Sequence, residues 1–96
     1  MGKGKRERPL RLGIKLAAIR KDFGLSQNEM LRKLGLDQKL TREELSAYER
    51  GVREPNLMTL LKFAQAAGVY VDALINDEVD LPKKLPCVPK HEGVKR

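Results

Sequence analysis

The chain has 96 residues, 41% of them hydrophobic and only 4% aromatic, with a net charge of +7. That length gives room for one domain, and a compact helical bundle with an aliphatic core suits it better than a multi-layer fold. No apolar run approaches the roughly 18 residues of a membrane span. Arg11, Lys15, Arg20 and Lys21 interrupt the region where a signal peptide would carry its apolar core. The lone cysteine, Cys87, cannot form an internal disulfide, which points to a reducing compartment. The positive excess is local: residues 1–24 hold eight Lys/Arg against Glu7 and Asp22, whereas charges cancel over 25–75. Such a balance suits a polyanionic partner but does not establish one.

Taken in chain order, Pro9 stands where it can open a helix. Leu12, Leu16, Ile19 and Phe23 then recur at helical spacing, and Gly24 follows as a left-handed cap. This predicts helix one over about 10–23. Ser26-Gln27-Asn28-Glu29 has the form of a capping box, Met30, Leu31 and Leu34 supply an apolar face, and Gly35 ends a short second helix at about 27–34. After the connector Leu36 to Leu40, a second capping box, Thr41-Arg42-Glu43-Glu44, opens helix three at about 42–50, with Leu45 and Tyr48 facing inward. Asn56 caps helix four, whose stripe is Leu57, Leu60, Leu61, Ala64 and Ala67 and whose end is Gly68. Val69 to Ile75 forms a last short helix, with Asp72 near its positive end.

Beyond Asn76 the periodicity dissolves into an acidic run, and Pro82, Pro86 and Pro89 exclude a helix. The expected organisation is a basic arm over 1–9, a domain over 10–76 and a Pro-containing flexible tail over 77–96. The fold class is all-α, a compact five-helix bundle.

Two short helices joined by a turn, the second with a polar outer face, make a helix-turn-helix candidate. On the helical period, the outer face of helix three carries Arg42, Glu43, Ser46, Ala47 and Arg50. In a major groove, Arg42 can bond guanine O6 and N7, Glu43 can accept from cytosine N4, and Ala47 can touch a thymine methyl.

Leu25-Ser26-Gln27, then Leu34-Gly35, then Tyr48-Glu49-Arg50-Gly51-Val52-Arg53-Glu54-Pro55 resemble the Cro/repressor-type helix-turn-helix family of xenobiotic-response-element-like regulators. Leu60-Leu61-Lys62-Phe63-Ala64, Gly68-Val69 and Asp72-Ala73-Leu74 continue the likeness, which spans about 10–75. The resemblance implies a lambda-repressor-like bundle and a transcriptional regulator that binds operators as a dimer. It also implies that Gln27 contacts a phosphate, that Arg42, Glu43, Ser46 and Ala47 read bases, and that Arg50 and Arg53 contact the backbone. Two departures stand out. The link Leu36 to Leu40 is longer than the family's turn by about four residues. Three consequences are open: an extended helix two, a phosphate contact through Lys39, or a tilted helix three. Tyr70 replaces the usual cap of the last helix, leaving that helix frayed or Tyr70 committed to packing or dimer contacts.

Several residues carry two readings. Glu44, and with equal weight to a base contact Glu43, favour the helix N-terminus electrostatically. Glu49 is expected to orient Arg50 or Arg53 through an ion pair. Lys3, Lys5, Arg6 and Arg8 either follow DNA or solubilise the chain. Val69, Val71, Leu74 and Ile75 either complete the core or form a self-association surface. His91 and Cys87 are too few and too poorly placed for a metal site. No phosphate loop, nucleophile constellation or carboxylate pair is present, so neither an enzyme nor a cofactor is expected. The expected protein is a sequence-specific DNA-binding repressor in the cytoplasm, at the nucleoid. Its partners are double-stranded DNA and a second copy of itself, with no membrane and no evident small-molecule effector. The alternative is a protein-interaction adaptor or antitoxin-like module of the same fold.

Overall fold

A computed structural model describes residues 8–86, which form five helices and, among themselves, no strand. They are α1 (Leu12–Asp22), α2 (Gln27–Lys33), α3 (Arg42–Glu49), α4 (Leu57–Ala67) and α5 (Val71–Ile75). Each lies within the expected span, shortened by up to two residues at an end. α1 is central, packing on both α3 and α5, while α2 lies against α3 and α4 against α5.

Local chemistry accounts for the boundaries. Ser26 Oγ accepts from Glu29 N at 3.1 Å while the Glu29 carboxylate accepts from Ser26 N at 2.8 Å. Thr41 and Glu44 repeat the exchange at 3.1 and 2.9 Å. Each box satisfies two donors the helix would otherwise leave unpaired. Its hydrogen bonds to Ser26 hold the Glu29 carboxyl below its ordinary pKa. Asn56 Oδ1 accepts from Thr59 N at 2.8 Å, as a single cap. At Gly24 the chain takes φ +71°, open to glycine without strain, and Leu25 N then bonds back to Arg20 O.

The core is the expected set with one rotation. Leu12, Leu16, Ile19, Met30, Leu31, Leu34, Leu45 and Tyr48 are buried. On α4, however, Leu57 is 79% exposed and Leu61 is also exposed, whereas Leu60, Phe63, Ala64 and Ala67 are buried. The stripe that packs therefore runs through Phe63. Its members recur at i, i+3, i+4 and i+7, and the large ring fills the centre. Leu74 of α5 is fully buried, and Val71 of α5 and Val69 just before that helix pack on the core, so the core reading holds for these three. Ile75 stays exposed, and Tyr70, at 88% exposure, neither packs nor caps through its side chain.

The expected flexible tail needs correcting over 77–86, since these residues form a strap across α1. Leu85 is buried and Leu81 packs on the core. The Asp77 carboxylate accepts from Leu10 N at 2.8 Å and Arg11 N at 3.0 Å, and Arg11 also bonds the Asp77 carbonyl and the Asp80 carboxylate. The Lys15 side chain reaches the other end of the same turn. It is 3% exposed, and its ammonium donates to Ala73 O at 2.8 Å, Asn76 O at 3.0 Å and Val79 O at 2.6 Å. All three donors are satisfied and the carbonyls at the end of α5 gain a partner. Burial, followed by the nearby Arg11 charge, lowers the Lys15 pKa; Asp77, Asp80 and Asp72 oppose that shift. Residues 87–96, the rest of the expected tail, lie outside the described residues.

Candidate nucleic-acid interface

The unit formed by α2 and α3 is fixed to α1 by one polar cluster. Arg20 of α1 grips Glu49 at the end of α3, Nε to Oε2 at 2.8 Å and Nη2 to Oε1 at 3.0 Å. Its Nη1 donates to Leu25 O at 3.0 Å, and Gln27 Nε2 donates to Glu49 Oε1 at 3.1 Å. The start of α2 and the end of α3 are thus tied to the same carboxylate. Both ionic side chains are mostly covered, and the bond to Glu49 raises the Arg20 pKa further. Near this cluster α1 approaches α3 closely. A Cβ placed on Gly13 would lie 2.6 Å from the carbonyl oxygens of both Tyr48 and Glu49.

The longer link does not extend α2, which ends at Lys33. Leu36 N bonds back to Leu31 O, and Lys39 N and Leu40 N both bond to Leu36 O, making one compact turn. Leu36 is buried and Leu40 half-buried, so the additional residues are anchored by two apolar side chains, with Asp37, Gln38 and Lys39 exposed.

With Leu45 and Tyr48 in the core, the opposite side of α3 is uncovered. Arg42, Glu43 and Arg50 are exposed and Ser46 is half-buried beside them. Arg42 and Glu43 make a loose ion pair at 3.7 Å, and Arg50 Nε donates to Ser46 Oγ at 3.1 Å. Arg53 is also exposed. Ala47 is a correction to the expected outer face, being only 8% exposed. Past Gly51 the chain folds back, and Val52 N and Arg53 N both bond to Ala47 O. A methyl group is too short to project beyond that return. Gln27 is half-buried, with one amide hydrogen committed to Glu49. Glu49 itself pairs with Arg20 of α1 instead of Arg50 or Arg53.

Of the basic arm, Arg8 is described and pairs with Glu54 at 2.9 Å, while Lys3, Lys5 and Arg6 lie outside the described residues. So do Cys87 and His91. Among the described residues no group of three His, Cys, Asp or Glu is placed to hold a metal ion, and no helix is long and apolar enough to cross a membrane. Sequence reasoning missed Gly13, Arg20 and Lys15. Arg20 and Lys15 carried a weak signal, as cations inside an otherwise apolar helix stretch, but their partners are 29 and 58 to 64 residues away.

The helix-turn-helix family profile matches residues 16–74, more than half of the chain. An uncharacterized HTH-type transcriptional regulator, y4dJ of Sinorhizobium fredii (strain NBRC 101917 / NGR234), is 35% identical over 71 residues, covering 74% of this chain and 87% of that protein. No solved structure matches. Two capped helices packed on each other, the profile that spans them and the similarity to this regulator agree: the chain belongs to the Cro/repressor-type helix-turn-helix family.

Proposed function

We propose that this protein is a sequence-specific DNA-binding repressor that places α3 in the major groove. Family membership and the description of its relative support DNA-binding transcription regulation as the coarse function. The finer reading rests on one observation: α3 is fixed by its inner face and both ends, while Arg42, Glu43, Ser46 and Arg50 remain accessible on its outer side. A rigid helix presenting donors and an acceptor suits base edges, whose pattern in the major groove distinguishes all four base pairs. Gln27 retains one amide hydrogen for a phosphate, and Arg53 adds a cation at the edge. In this reading the protein acts as a homodimer on half-sites about 34 Å apart. It uses no cofactor, carries out no catalysis and works at the nucleoid in the cytoplasm.

The test is to select bound sequences from random duplex DNA and then titrate binding with salt. The reading predicts a steep loss of affinity with salt and at least about a thousandfold preference for the selected site. Steep salt dependence without preference makes the protein a nonspecific binder. Absence of binding at moderate salt points to the protein-interaction alternative.

A further inference from the structure

We infer that Arg50 reads a guanine in the major groove, a base-specific role different from the backbone contact that the family resemblance implies for it. The assignment rests on the proposed docking of α3 and deepens it by naming a specificity determinant.

The geometry of α3 carries the inference. Helical side chains lean toward the N-terminus of their helix. Arg50, at the C-cap of α3, follows that direction, and its Nε donates to Ser46 Oγ at 3.1 Å, one turn earlier. The bond draws the guanidinium back over the middle of the exposed face, toward Ser46. A phosphate contact from a helix end would instead favour a side chain spread outward toward the groove wall.

The donors left over fit the same partner. With Nε engaged by the serine hydroxyl, both terminal nitrogens, which no described residue engages, form a planar fork. Such a fork matches the adjacent O6 and N7 acceptors of guanine. Among the described residues no carboxylate holds Arg50: the neighbouring Glu49 is engaged by Arg20 and Gln27, and Glu43 pairs with Arg42. Ser46 acts as a positioning residue, limiting the rotamers that the long side chain must give up on binding.

The experiment compares sites selected from random duplex by the wild-type protein, Arg50→Ala and Ser46→Ala, followed by affinities for every single-base-pair change in the wild-type site. Arg50 is exposed, and circular dichroism confirms that each variant is folded. The assignment predicts that Arg50→Ala abolishes a guanine preference of at least about tenfold at one position per half-site and leaves the other preferences in place. Ser46→Ala weakens the preference at that same position while retaining the Arg50 charge. A uniform loss of affinity across all sequences, with the salt slope reduced by about one, makes Arg50 a phosphate contact and overturns the assignment alone. If the wild-type protein selects no site, the proposed function fails and this assignment fails with it.

Discussion

Arg20 and Glu49 stand 29 residues apart in sequence and meet through two hydrogen bonds of 2.8 and 3.0 Å. The pair joins the last turn of α1 to the end of α3, and Gln27 attaches the start of α2 to the same carboxylate. Glu49→Ala leaves a largely covered guanidinium without its counter-charge. The expected cost is about 3 kcal/mol, read from urea denaturation. Replacing both residues by Met should cost less than Glu49→Ala alone, because no buried charge is then stranded. A double variant as unstable as the sum of the single ones would contradict the pairing.

Gly13 sets how closely α1 and α3 approach. Gly→Ala inside a helix ordinarily stabilises by about 0.5–1 kcal/mol. Here the new methyl would sit 2.6 Å from two backbone oxygens, which cannot rotate away as a side chain can. Gly13→Ala is therefore expected to destabilise by roughly 1–3 kcal/mol, lowering the thermal midpoint by about 4–8 °C per kcal/mol. An unchanged or raised midpoint would show that the two helices can part without cost.

Lys15→Met keeps an unbranched side chain one atom shorter and removes its three donors. The carbonyls of Ala73, Asn76 and Val79 then lose a common partner at the end of α5. A loss of roughly 2–3 kcal/mol is expected in denaturant melts. Amide exchange should accelerate first in α5 and the 77–86 strap, because their attachment to α1 is what the substitution removes.

Asp77 makes the strap sensitive to acid. Its carboxylate accepts from the N–H groups of Leu10 and Arg11, which hold its pKa below the ordinary value of 3.8. Asp80 shifts the same way through its bond to Arg11. A carboxylate depressed in the folded state contributes stability above its unfolded pKa and loses it as pH falls through the folded value. Stability should thus decline as pH drops below about 4. Asp77→Asn should lower stability at pH 7 and flatten that decline, which a pH series of urea midpoints measures.

The local part of this fold was legible in the sequence because its signals are local. Ser26 with Glu29, Thr41 with Glu44, and Asn56 with Thr59 lie within one turn, so spacing alone identifies the partners. Long-range partners leave no such trace. Nothing near Lys15 names Val79, and nothing near Leu10 names Asp77, so the strap read as a loose tail despite Leu81 and Leu85. On α4 the stripes through Leu57–Leu61 and Leu60–Phe63–Ala64 are both apolar, and only long-range packing, chiefly against α5, decides between them. The exposed face of α3 was legible except at Ala47, whose covering depends on the return of the chain after Gly51.

Docking of α3 is tested most directly by methylation interference on the selected site. Dimethyl sulfate marks guanine N7 in the major groove and adenine N3 in the minor groove. Major-groove entry predicts that methylated guanines within each half-site abolish binding, while methylated adenines there have little effect. Interference confined to adenine N3, or none within a site that the protein still binds selectively, would contradict it.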